Sequence, residues 1–90
     1  MSVENYLNHP NFGLLFRVCL VDANRELFTT LYAQRLFFLV ILQEDGLEFE
    51  PVTRSDARIL VENRVRMLRR SGPQAEYDQL LSIYKQTFQS

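Results

Sequence analysis

Residues 36–70 read LFFLVILQEDGLEFEPVTRSDARILVENRVRMLRR, and within them the spacing of apolar residues changes period. Leu36 to Leu42 are apolar at every position, as in a strand covered on both faces or turned toward a partner. Asp45-Gly46 carries the hairpin signal. Leu47, Phe49 and Pro51 then alternate with Glu48 and Glu50, which points the two carboxylates to water. Pro51 has no N–H to give a ladder, so it suits a strand end or edge. Past Thr53 the period lengthens, and a helix is expected over about 55–70, with Ala57, Leu60, Val61, Val65, Met67 and Leu68 on one arc. Thr53 with Asp56, or Ser55 alone, offers the N-terminal cap. Arg64 falls in the middle of the apolar arc, where a guanidinium needs an acceptor. It is expected to be a structural bridge between helix and sheet, with an interface anchor as the alternative.

Upstream, FGLLFRVCLV (12–21) partly alternates, with Leu14, Phe16, Val18 and Leu20 expected on one face. Asp22-Ala23-Asn24 is turn chemistry. Glu26 to Tyr32 alternates again, and Ala33-Gln34-Arg35 is a short polar break. Downstream, Gly72-Pro73 ends the first helix, and Tyr77, Leu80, Leu81, Tyr84 and Phe88 make one stripe on a second. The expected fold is α+β: a small five-stranded, SH3-like β-barrel over 1–53, then a two-helix hairpin over 54–90.

Ninety residues leave room for a single modest core. A hydrophobic content of 47% argues against intrinsic disorder. The longest apolar run is far short of the roughly 20 residues a membrane span needs. The start MSVENYLNHP lacks a basic segment followed by an apolar one, so the expectation is a cytoplasmic protein. Charge is divided: three cations stand against seven anions in 1–53, and seven against four in 54–90. Such asymmetry suggests two surfaces with different partners, or two parts that attract each other.

Residues for chemistry are sparse. Cys19 and His9 are single, which removes a disulfide framework and a multi-cysteine zinc site. Cys19 sits inside a strand pattern, and His9 before Pro10 reads as a turn residue. There is no Walker A or GxGxxG sequence, and three glycines make a poor phosphate cradle. No enzymatic activity, cofactor or metal is expected. Arg58, Arg66, Arg69 and Arg70 lie on the outer helix face, either as a solvated face laced by Glu62 or as a contact for acidic protein or phosphate. A nucleic-acid module using that face is the alternative function, and a permanently buried subunit of a larger complex is another.

Tyr32-Ala33-Gln34-Arg35-Leu36-Phe37-Phe38 is the strongest interaction candidate. It places Tyr32, Gln34 and Arg35 at a strand tip beside an apolar run, and Tyr and Arg are common binding anchors. An ordinary turn beside a buried strand reads equally well from pattern alone. Glu4-Asn5-Tyr6-Leu7 offers either a further edge contact or a strand closing the barrel.

The stretches ENYLNHP (4–10), FGLL (12–15), LYAQRLFFLV (31–40), FEP (49–51), AR-LV-NR-R-LRR (57–70) and QTF (86–88) resemble the cyanobacterial PII-interacting protein X family over nearly the whole chain. The resemblance implies a Tudor-like barrel with two C-terminal helices and no enzymatic activity. It implies a nitrogen-regulation coactivator with two protein partners. One is the trimeric signal protein PII, which holds it when 2-oxoglutarate is low and ADP relatively high. The other is the global nitrogen regulator NtcA, a dimeric activator of the cyclic-AMP-receptor-protein superfamily, in its 2-oxoglutarate-bound form. Both would use one barrel surface, so binding would be mutually exclusive, with no direct DNA contact and a monomer when free. Mapped onto matching positions, the shared patch would comprise Glu4, Tyr6, Tyr32, Gln34, Arg35, Leu36 and Phe38.

Overall fold

The computed structural model describes residues 6–30 and 36–89. Five strands, β1 (Tyr6–His9), β2 (Gly13–Asp22), β3 (Arg25–Thr30), β4 (Phe37–Gln43) and β5 (Gly46–Val52), pair antiparallel in chain order. Two helices follow, α1 (Arg54–Ser71) and α2 (Gln74–Phe88). The fold is α+β, a sheet curled into a half-barrel with a helical pair after it.

The curl has a local cause in β2. Its pairing steps from Arg17–Phe28 to Cys19–Leu27, and again from Leu20–Glu26 to Asp22–Arg25, so Val18 and Val21 are each one residue in excess. An extra residue bends its strand and increases local twist. It also breaks alternation. Val18 and Cys19, adjacent in sequence, are both buried in the same core, at 7% and 6% exposure. The single face expected for Leu14, Phe16, Val18 and Leu20 therefore does not survive past Arg17.

Over Phe37–Val40 the sheet is covered on both sides, which is why β4 is apolar at successive positions there. On one side Val18, Cys19, Leu27 and Phe37 pack with Ala57, Val61, Leu68, Leu80 and Tyr84 of the helices. On the other, Leu15, Phe28, Phe38 and Val40 fill the concave side, flanked by Leu7 and Phe49. Burying a side chain as large as Phe28 or Phe37 stabilises the fold by about 1.5–3 kcal/mol before cavity effects are counted.

Thr53 caps α1 by accepting the Asp56 N–H at 3.0 Å. The helix stops at Gly72, whose N–H donates to the Leu68 carbonyl at 2.8 Å. A Cβ at position 72 would fall 2.4 Å from Leu68 Cδ2, so close approach selects glycine there. Pro73 then leads into α2. Ala57, Val61 and Leu68 form the buried stripe of α1 as expected, but Met67 is 45% exposed. It lies at the margin of the arc, one residue from Leu68, and the sheet does not extend over it.

Arg54 fastens the two ends of the helical pair. It donates through Nη2 to the Thr87 carbonyl and sets its guanidinium 5.2 Å from the centre of the Phe88 ring. Phe88 in turn stacks on Phe37 of the sheet, with centroids 5.5 Å apart.

Candidate functional site

The interaction segment named by the sequence is bounded by two tied residues. Thr30 donates its N–H to the Leu36 carbonyl at 3.1 Å, and Thr29 Oγ1 donates to the same oxygen at 2.8 Å. The chain between them, which includes Tyr32, Gln34 and Arg35, lies outside the described residues, as does Glu4. The residues nearest to it in register are described. Tyr6 pairs with Phe16, Phe16 with Thr29, and Thr29 with Phe37, so one transverse row runs from β1 to β4 at this end of the sheet. Tyr6 is 49% exposed with its ring 5.8 Å from that of Phe16, and Leu36 is 43% exposed. Two large apolar side chains, Tyr6 and Leu36, thus stand in solvent at this end of the sheet; singly, such residues need no explanation.

Phe38 departs from its expected place in the patch. It is 4% exposed and its ring lies 5.0 Å from His9 and 5.5 Å from Phe12. Even-numbered residues of β4 point into the concave core, so Phe38 supports the rim from beneath and offers it no free area.

His9 is the turn residue the sequence indicated, and it has a second structural role that the sequence did not show. Its Nδ1 accepts the N–H groups of Asn11 at 3.0 Å and Phe12 at 3.3 Å, which holds the turn after β1. Its ring sits 4.9 Å from Phe49 and 5.0 Å from Phe12. Among the described residues β1 and β5 are the two edges of the sheet, and no ladder joins them. Aromatic rings centred on His9 join the two edges there. Period and composition could not reveal this, because the contact depends on how far the sheet curls.

Cys19 is buried, and burial pushes its thiol up to about 12 against a smaller opposing effect of Arg64 and Arg17. A protonated, enclosed thiol is a weak nucleophile. Thiol-directed reagents near pH 8 are therefore expected to label the folded protein only as fast as it opens, and labelling should become fast in denaturant. Rapid stoichiometric labelling without denaturant would contradict the burial.

The outer face of α1 is partly knitted. Arg58 donates to Glu62 at 3.1 Å, and Arg66 donates to Asn63 at 2.6 Å. Tyr84 of α2 donates its hydroxyl to Glu62 at 2.5 Å, joining the helices. That hydroxyl, and then Arg58, hold the Glu62 carboxyl below its usual range. A lowered folded value contributes stability above the unfolded value and loses it as pH falls through the folded one. The urea midpoint should therefore fall on acidification below about pH 4.5, and Glu62→Gln should flatten that fall. An unchanged profile in the variant would show that the bond is not made.

Arg64 lines a cleft between β2 and the helices, with its Nη1 4.0 Å from Met67 Sδ on its own helix. Among the described residues no group of His, Cys, Asp and Glu side chains converges as metal ligands do. No helix is long and apolar enough to cross a membrane.

Of the residues that carry the sequence resemblance, Tyr6 and Leu36 stand exposed at one end of the sheet, while Leu15, Phe37, Ala57 and Val61 are buried in its two cores. A protein-family model described as PipX, PII-interacting protein X, matches residues 3–88. The chain belongs to that family. A search of curated proteins returned no match. Members of the PII-interacting protein X family are named for binding PII, and the match runs through both the sheet and the helical pair.

Proposed function

We propose that this protein is a non-enzymatic, cytoplasmic coactivator of nitrogen regulation. It binds in turn the PII trimer and the 2-oxoglutarate-bound form of NtcA, through one rim built from Tyr6, Leu36 and the segment holding Tyr32, Gln34 and Arg35. The observation that carries the reading is the family match together with the exposure of Tyr6 and Leu36 beside that segment. Glu4, two residues before β1 in the sequence, is assigned to this surface by the family resemblance alone.

The mechanism is linkage. A coactivator that binds only the effector-loaded activator stabilises that state and tightens its hold on DNA without touching DNA. PII opposes this by mass action, since coactivator held by PII is withdrawn from the free pool. The effector-sensing then lies with the partners, and the half-barrel supplies only the shared contact. The free protein is a monomer in this account.

The test is a pull-down with purified PII under two conditions. Retention with ADP alone and release with ATP plus 2-oxoglutarate is the expected result. Equal retention in both, or none in either, would contradict the reading. The nucleic-acid alternative would use Arg58, Arg66, Arg69 and Arg70, of which Arg58 is held by Glu62 and the other three form no ion pair among the described residues. Against it, the apolar Ile59 and Met67 stand exposed on the same helix, at 53% and 45%. A phosphate-binding face gains nothing from such residues.

A further inference from the structure

The helical pair does not seal fully against the sheet. A half-open cleft of about 240 Å³ lies between β2, α1 and α2. Its floor is apolar, formed by the buried Val18, Cys19, Leu68 and Leu80, with Phe16 and Ile83 as walls. Liquid water takes roughly 30 Å³ per molecule, so the space holds roughly eight waters or one compact organic molecule.

The charges that line it are of both signs. Arg17 is committed to Glu26 at 3.6 Å across the sheet. Arg64 is not committed. Among the described residues its single hydrogen-bond contact is the Met67 thioether at 4.0 Å, and sulfur is a weak acceptor for a group with five donors. Glu76, from the first turn of α2, lines the same cleft and forms no ion pair with Arg64. One turn further on, Gln79 adds a neutral amide.

We infer that this cleft binds a free apolar α-amino acid, its carboxylate on Arg64, its ammonium on Glu76 and its side chain on the floor between β2 and the helices. The choice among small ligands follows from the charges. A simple carboxylate would meet repulsion from Glu76 along with attraction by Arg64. A simple amine would meet the reverse. A zwitterion satisfies both, and a guanidinium takes a carboxylate in two parallel bonds. Val18, Cys19, Leu68 and Leu80 on the floor favour a leucine- or phenylalanine-like body, although the Gln79 amide also lines the cleft. The thiol of Cys19 stays neutral there, so the floor remains apolar. This inference does not rest on the PII reading, because none of the rim residues lines the cleft.

The test is titration of the isotope-labelled full chain with L-leucine and with L-phenylalanine, followed by amide chemical shifts. Saturable shifts centred on Val18, Leu80 and Ile83 are expected for at least one of the two. Isocaproate and isoamylamine, each lacking one charge, should bind on the order of tenfold more weakly. Arg64→Met keeps the length and apolar stem and should remove the carboxylate contact, weakening binding by a similar factor. Ile83→Trp fills the cleft from α2 and should abolish binding in a protein still folded by circular dichroism. Absence of saturable shifts with both amino acids would overturn the inference. So would isocaproate binding as tightly as leucine, or undiminished binding by either variant.

Discussion

Phe37→Ala should cost about 3–5 kcal/mol of folding stability, the range found when a large buried aromatic is truncated. Phe37 is 1% exposed and is the residue where three parts of the molecule meet. In the sheet it pairs with Thr29 of β3 and Val52 of β5. Toward the helices it packs in the core that holds Ala57, Val61 and Tyr84, and its ring stacks on Phe88. Relaxation cannot refill a hole bordered by two neighbouring strands and two helices, so the cavity contribution should be near its maximum. A domain of this size is stabilised by roughly 5–13 kcal/mol in total, so the variant should lose about a quarter or more of that. Phe88→Ala truncates the other half of the stack from a half-buried position, and it should cost less. Urea denaturation of the two variants checks the order. Equal midpoints would show that the helical pair leans on the sheet without being held by Phe37.

Tyr32→Ala should weaken the complexes with PII and with NtcA by at least about tenfold each, the loss of about 1.4 kcal/mol or more that marks an interface anchor. A tyrosine at a rim buries a large ring on binding and still bonds through its hydroxyl, at a small entropic loss for two side-chain torsions. Tyr6 and Leu36 are already half out of water, and on the proposed surface they would supply the apolar surround that excludes solvent from such an anchor. The folding stability of Tyr32→Ala should stay close to that of the parent. Calorimetric titration with each partner reads the effect. Loss of one complex with the other unchanged would divide the surface between partners, and no loss in either would remove Tyr32 from it.

Much of the fold was legible because period reports burial. The all-apolar Leu36–Leu42 stretch announced a strand covered on both sides, and the change beyond Thr53 announced helices. Asp45-Gly46 and Gly72-Pro73 marked turns through their backbone chemistry. What escaped depends on contacts between distant segments. The bulges at Val18 and Val21 are relations between β2 and β3, and the sequence of one strand does not contain them. The placement of Phe38 beneath the rim follows from which face of β4 is concave. The closure of the sheet edges around His9 follows from the degree of curl.

Arg54 left a signal that could have been followed. A cation in the first turn of a helix opposes the helix dipole. Such a residue invites the question of what else it bonds, and here the answer is the C-terminal end of α2, where the dipole favours it. The interaction segment was legible for a different reason. From pattern alone Tyr32, Gln34 and Arg35 read equally well as an ordinary turn beside a buried strand, and it is the resemblance to a family of PII-binding proteins that favours a partner surface. The reading of Arg64 was legible only in part. Its position in the apolar arc showed that it would lie against the sheet, but not that it would line an open cleft there.

The most direct measurement is competition on one molecule. The labelled protein is first bound to PII in the presence of ADP, then titrated with NtcA carrying 2-oxoglutarate, and the label is followed by analytical ultracentrifugation. Shared use of the rim predicts transfer of the label from one complex to the other, with no particle containing all three proteins. A stable ternary particle, with the label still on PII, would contradict it.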